Sequence, residues 1–581
     1  MMKTFPGQIA MCLSILFLSC KKDNGSGGGN PPPTPPTDTV VTEVINPQVD
    51  PALASTIGIF MNDWKAKTFT APTYKDTTII TSNPSTITVD FANVITKISP
   101  AIFGNNANSW MTGIVSQPAL MTHLSNLKTN IVRFPGGSIS DIYFWNAPVN
   151  KFPADAPATL VDATGKSAAS GYWTGQNQDD WTISVDKYYQ LLQQTGSQGI
   201  ITVNYGYARY GTSNNPVAAA AHMAADWVRY DNGRTKYWEV GNECYGDWEA
   251  GYRIDQTNNK DGQPLLNTGY LYGQHFKVFA DSMRKAAQEI GKTIYIGAVV
   301  MEAGPASYMG DTQKNWNSGV FGNTGTAADY YIVHNYFTPY NTNATAKAIM
   351  DSASSVTSNM MNYITSNMTS NGVATKPIAL TEWNIFSQGS QQAVSNINGL
   401  HALILLNEAI KSKYAMTSRW DLANGWSNGD DHGLFNIGDE PGASKWDPRP
   451  SFYYMYYFQK FLGDRMISAG NSNGNILTYA SSFTSGQMSV TIVNKSTSEQ
   501  QVEITTKNFK KGNRYYWYSL QGGSDNGEFS RKVFVNGNGS SGVSGGPAGY
   551  NTLQPYSSTT ASGIKVKVPA RGAVVMVVDA K

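Results

Sequence analysis

Two glutamates carry the chemistry open to this sequence. Glu243 follows Tyr237-Trp238-Glu239-Val240-Gly241-Asn242, an apolar run that stops on a polar pair, and Glu382 closes Pro377-Ile378-Ala379-Leu380-Thr381. Each reads as a buried strand delivering a carboxyl at its C-terminal end, which is where a parallel barrel gathers catalytic side chains. A pair of carboxyls about 5–5.5 Å apart can break a glycosidic bond with retention: one, held neutral, protonates the leaving oxygen, while the other, ionised, attacks the anomeric carbon. Strand ends hold such groups more rigidly than loops do.

The surrounding chain has the pattern needed to bring the two ends together. From about residue 99, short apolar strands alternate with amphipathic helices, the signature of parallel β/α units. Eight strands are expected near Ala101–Asn105, Asn130–Pro135, Gly199–Tyr205, Lys236–Glu243, Thr293–Val299, Asp329–Tyr336, Pro377–Trp383 and Ala415–Asp421. The fold class is therefore α/β, a (β/α)8 TIM barrel over residues 96–463. Beyond Gly463 the pattern becomes alternating strands separated by Gly, Ser and Asn turns, predicting a C-terminal antiparallel β-sandwich over 464–581. Residues 46–95 form an N-terminal segment whose Thr/Ile/Val-rich part, 77–91, is expected to add strands to that sandwich. Long loops after the second, fourth, fifth and eighth barrel strands carry Trp145, Trp173, Trp181, Trp248, Trp316 and Trp426. Their tryptophans argue for function rather than disorder, and Trp145, Trp173 and Trp248 are candidates to line an open groove.

Composition narrows the partners. The 581 residues carry a net charge of +2, with 14 Trp, 32 Tyr and 22 Phe. No basic footprint suggests nucleic acid, whereas flat aromatic faces suit sugar rings. The first 20 residues read as a signal peptide, and Phe17-Leu18-Ser19-Cys20 resembles a bacterial lipoprotein signal with Cys20 as the acylated residue. Residues 21–45, rich in Gly then Pro, read as a tether. These features predict a lipid anchor in the bacterial cell envelope, on the periplasmic or surface face of the outer membrane, or secretion if the cysteine is not acylated. After processing only Cys244 remains, so no disulfide and no cysteine-ligated zinc is expected within the chain. No cofactor is expected either: no Gly-x-Gly-x-x-Gly follows a strand, Asp430-Asp431-His432 reads as a solvated loop rather than a metal site, and Cys244 reads as a buried filler rather than a nucleophile.

The motifs resemble those of the clan A retaining glycoside hydrolases. Asn242-Glu243 and Glu382 are joined in order by Arg133-Phe134-Pro135-Gly136-Gly137, Asn204-Tyr205-Gly206, His334-Asn335-Tyr336 and Trp420. The resemblance is nearest to the α-L-arabinofuranosidase family, kin to the β-glucuronidases and heparanases, over roughly residues 85–580. It implies Glu243 as general acid/base and Glu382 as nucleophile. The charge of Glu382 is expected to raise the proton affinity of Glu243. The substrate-binding candidates are Asn242, which would bond a hydroxyl next to the reacting carbon, Arg133, which would keep Glu382 ionised, Tyr336, a donor to the nucleophile, and His334, Asn204, Asn105, Trp145 and Trp420 around the sugar. Two departures bear on the substrate. The family has a glutamate after the first strand where this chain reads Phe103-Gly104-Asn105-Asn106, and its asparagine after the Gly-Gly is Ser138 here. The expected substrate is a polysaccharide or oligosaccharide. The alternatives are an endo-β-glycanase or β-glycuronidase of the same clan or, in another class, a non-catalytic carbohydrate-binding lipoprotein.

Overall fold

The computed structural model describes residues 45–581. Cys20, the signal segment and most of the tether lie outside the described residues. Eight parallel strands close a barrel in chain order: β1 Gly104–Asn106, β2 Ile131–Phe134, β3 Gln198–Val203, β4 Tyr237–Val240, β5 Tyr295–Val299, β6 Tyr330–Tyr336, β7 Ile378–Asn384 and β8 Met416–Arg419, with β8 pairing back onto β1. Every residue of β2, β4, β7 and β8 is buried. Parallel strands are covered by side chains inside and by helices outside, so they read as continuous apolar runs rather than alternating ones.

Helices fill the outer layer with the expected end chemistry. The helix Pro216–Asp231 starts on Asn215, whose side chain accepts the Ala218 N–H, has Pro at its first turn, and stops on Asn232 with φ 52°. An Asn cap, a leading Pro and a left-handed stop are what such an Ala-rich stretch needs to begin and end cleanly. The short apolar run before the barrel closes its N-terminal end. Phe60 stacks on Tyr237 at 4.4 Å and meets Tyr330 edge-on at 5.3 Å, at the starts of β4 and β6. One end of the barrel is thus plugged, and the other is left to the loops that follow the strands.

The C-terminal region differs in detail from the expected antiparallel sandwich. It is one eleven-stranded sheet, and two of its pairings are parallel: Ser85–Lys97 with Gln500–Lys507, and Lys75–Asp76 with Tyr556–Thr559. Strands Arg465–Asn471 and Tyr556–Thr559 were not apparent in the sequence pattern. One hydrophobic core joins Ile564 and Val566, near one edge of the sheet, to Trp517 and Met576, toward the other, so the sheet curls around its own interior. In strands Lys511–Gln521 and Gly572–Ala580 the side chains divide by parity. Tyr515, Trp517, Val574 and Met576 enter that interior, while Tyr516, Tyr518, Val575 and Val577 enter the barrel's core. Alternation of side chains along a strand makes these two strands the shared wall of both cores.

Candidate active site

Glu382 lies within β7, and the strand's geometry there is irregular. The β6–β7 pairing shifts register between Val333 and His334, so that Val333 faces Leu380 but His334 faces Glu382. The bulge at Thr381 turns two successive residues toward one partner: His334 Nε2 is 3.0 Å from Thr381 Oγ1, and His334 Nδ1 is 3.7 Å from Glu382 Oε1. Bulges commonly re-aim side chains beside active sites. Glu243 sits just past β4, which ends at Val240. Gly241 and Glu243 both have positive φ, 75° and 40°. For a glutamate that backbone costs about 1–3 kcal/mol, a strain typical of functional positions. The turn carries the carboxyl inward until Oε1 lies 3.0 Å from His334 Nδ1, while Trp248 Nε1 donates to Oε2 at 3.0 Å. One ligand atom from each of Glu243, His334 and Glu382 lies within 4.8 Å of the others.

Arg133 underlies the pair. It is wholly buried and donates to Glu382 Oε1 at 2.8 Å, Glu239 Oε2 at 2.6 Å, Asn106 Oδ1 at 3.0 Å and Asn242 Oδ1 at 2.9 Å. Burial would lower its proton affinity, but the charges of Glu239 and Glu382 outweigh that and hold it above the ordinary value. Tyr336 donates to the other oxygen of Glu382 at 2.9 Å. Glu382 thus has both oxygens occupied by donors, an arrangement suited to a carboxylate.

The proton inventory departs from expectation. Burial pushes the Glu243 carboxyl up, but its hydrogen bond and charge interaction with His334, aided by Trp248 and Arg133, bring it below the usual value. His334 moves the other way: burial lowers it, and the Glu382 charge with the Glu243 hydrogen bond raises it overall. The expected rise in Glu243 is therefore not found: the imidazole beside it has the raised proton affinity and the carboxyl the lowered one. Two further carboxyls flank the site. Asp141 accepts the backbone N–H groups of Tyr205, Gly206 and Asn242, and burial pushes it up to about 7 against those bonds. Half-buried Glu302, bonded to Asn335, is raised to about 7 by burial, with the charge of Glu243 adding to it.

Several expected contacts are placed elsewhere. Arg133 binds protein groups around the glutamates and has no exposed surface to offer a sugar, while Asn242 commits its Oδ1 to Arg133 and one of its two N–H groups to Glu249. Asn105 is turned away from the glutamates, donating to Thr129. Its neighbour Asn106 faces inward to Arg133 and the Thr381 carbonyl, because successive side chains of a strand point to opposite faces. Asn204 braces the loops, bonded to the Tyr143 carbonyl, Tyr210 and the Tyr207 N–H. Trp145 is core: it stacks on Trp227 at 5.6 Å and gives its N–H to the Met223 carbonyl. Trp316 is likewise buried. Trp420 lies against Gly137, where a Cβ would come within 2.6 Å of the indole, so the glycine leaves room for the ring. Trp248 and Trp181 remain 57% and 54% exposed. Cys244 is buried, and burial pushes its thiol well up, away from reactivity. Asp431 pairs with Arg449 at 2.7 Å while His432 bonds to Ile385 and Ser387, so that loop does not converge on a metal. The metal-capable grouping found among the described residues is Glu243, His334 and Glu382 itself, and Arg133 beside it disfavours a cation. Sequence reading missed Glu239, Asp141, Glu249 and Glu302. Only Glu239 carried a signal, an acid inside an apolar strand.

Comparison with known proteins bears on one segment of the chain and on its fold. Residues 123–353 match the model of the alpha-L-arabinofuranosidase 1 domain. Alpha-L-arabinofuranosidase C of Emericella nidulans is 22% identical over 313 residues, 48% of this chain and 53% of that protein. The chain spans about half the length of the curated relatives it matches. Among solved structures, the Thermotoga maritima alpha-L-arabinofuranosidase superposes with a TM-score of 0.56 at 15% identity, covering 85% of this chain and 99% of that one. A Paenibacillus polymyxa xyloglucanase of glycoside hydrolase family 44 gives a TM-score of 0.55 at 12% identity, covering 86% and 100%. In the matched segment and in its barrel-and-sheet fold the chain resembles the alpha-L-arabinofuranosidases.

Proposed function

We propose that this protein is a retaining glycoside hydrolase acting on a polysaccharide or its fragments by double displacement. The observation that carries the reading is the spacing of Glu243 and Glu382, which share a cluster no wider than 4.8 Å with His334. Retaining enzymes hold their carboxyls about 5–5.5 Å apart, inverting ones roughly 6.5–9.5 Å. Glu382, lined by Arg133 and Tyr336, attacks the anomeric carbon. Glu243 gives the proton it shares with His334 to the departing oxygen, then takes one from the water that releases the sugar from Glu382. Glu382→Ala is expected to abolish turnover and azide, attacking the anomeric carbon in a single displacement, to restore it as a glycosyl azide of inverted configuration. Full activity in that variant removes the mechanism.

An arabinofuranoside is the leading substrate. An endo-acting glycanase is the second reading, for two reasons. Asn106, the last residue of β1, is spent on Arg133 and a backbone carbonyl, and Trp181 and Trp248 stand exposed. Aryl glycosides and plant or algal polysaccharides, read by chromatography, separate the two: single sugars released mean exo action, a ladder of oligosaccharides means endo. We further propose a lipid anchor at Cys20, from the Phe17-Leu18-Ser19-Cys20 motif. Cys20→Ser is expected to move the enzyme from the membrane to the soluble envelope fraction, and an unchanged distribution would exclude the anchor.

A further inference from the structure

The amide of Asn242 is gripped at both ends. Arg133 can only donate, so the atom 2.9 Å from its guanidinium is Oδ1. At the other end Nδ2 donates to Glu249 Oε1 at 2.9 Å, and the same oxygen accepts the Ser138 hydroxyl at 2.8 Å. Asn242 and Glu249 are both buried, whereas Ser138 is exposed on the loop after β2. Glu249 Oε2 is shut off from solvent and has no hydrogen-bond partner among the described residues. Burial, with the charges of Asp141 and Glu243 adding to it, pushes this carboxyl well above the ordinary range. A primary amide has two N–H groups; with one committed to Glu249, a single N–H of Asn242 is left for a ligand.

Resting on the glycosidase reading, we propose that Glu249 is a positioning residue for substrate recognition: with Arg133 it fixes the Asn242 amide so that its remaining N–H addresses the sugar hydroxyl beside the reacting carbon, and it ties Ser138 to the same site. The side chain works as an acceptor at Oε1 and needs no negative charge, so glutamine, which keeps that oxygen, replaces it.

The test uses the full chain on a hydrolysed aryl glycoside and its analogue lacking the hydroxyl beside the anomeric carbon. Glu249→Gln is expected to stay within about threefold of wild type in kcat/KM with an unchanged pH profile. Glu249→Ala is expected to lose roughly tenfold to a hundredfold, the scale set by a misplaced contact, with the loss in kcat at least as large as any change in KM. The double variant Glu249→Ala/Asn242→Ala is expected to match Asn242→Ala alone, because both remove one interaction, and the Glu249→Ala deficit should shrink on the deoxy analogue. Multiplicative losses, an equal deficit on both substrates, or a Gln variant as poor as the Ala variant each overturn the role. Should Ala variants lose their fold by circular dichroism, the Gln variant and the deoxy comparison on the wild type and Glu249→Gln decide alone: the role stands if both keep the same preference for the hydroxyl. A wild type inert on every glycan overturns the glycosidase reading and this role with it; an active wild type with any of the adverse results overturns this role only.

Discussion

At the scale of single residues, the site turns on one proton among three side chains. His334 is held above its ordinary value and Glu243 below its own, so of the two the imidazole is the one whose proton affinity the site increases. Removing His334 takes away that imidazole and also the hydrogen bond and charge that lower Glu243, leaving burial to raise the carboxyl. His334→Gln is expected to displace the alkaline limb of the kcat/KM profile, which then reports Glu243 alone, and to reduce kcat about 10²-fold, the lower end of general acid–base contributions. A pH–rate series on an aryl glycoside checks both; an unmoved alkaline limb would place the proton elsewhere. The glutamates and Tyr336 were legible because their types and motif order name them. The role of His334 as a bridge was not, because it depends on the Thr381 bulge, and a bulge leaves no mark in a run of Leu, Thr, Glu and Trp.

At the scale of elements, Arg133 on β2 ties together Glu239 on β4, the turn after β4 and Glu382 on β7. Breaking such a buried group by removing one partner costs about 3–5 kcal/mol, because uncompensated charge stays behind. Arg133→Met is expected to lose stability on that scale in urea unfolding, together with activity; a loss under about 1 kcal/mol would mean the carboxyls find other partners. The barrel seam is a second element-scale test. A Cβ on Gly104 would lie 2.3 Å from the Thr417 carbonyl oxygen, so β8 and β1 approach each other through a glycine. Gly104→Ala must part the two strands and is expected to destabilise by about 1–3 kcal/mol, as overpacking does. The sequence pattern located the eight strands to within a few residues, since parallel strands are continuous apolar runs. It misjudged Asn105 and Trp145, because which face of a strand, or which side of a loop, meets the site is settled by packing.

At the scale of the whole molecule, barrel and sheet share one wall. Tyr518 packs on Tyr457 at 4.4 Å, and Val575 and Val577 belong to the barrel's core. A chain of residues 45–463 would expose that apolar face to water, and it is expected to be insoluble or molten. Calorimetry of residues 45–581 should show one cooperative transition, whereas two separated transitions would mean the wall is dispensable. By itself the sequence determined which residue types stand at the strand ends, that eight β/α units precede a sheet region, and that a carboxyl pair is the available chemistry, because motif order and hydrophobic period are local properties of a chain. Tertiary structure alone decided that an imidazole lies between the carboxyls, that Arg133 and Glu249 take opposite ends of one amide, and that the sheet is a single curled layer rooted in the barrel. Those facts depend on distances between residues far apart in the chain, and only packing sets such distances.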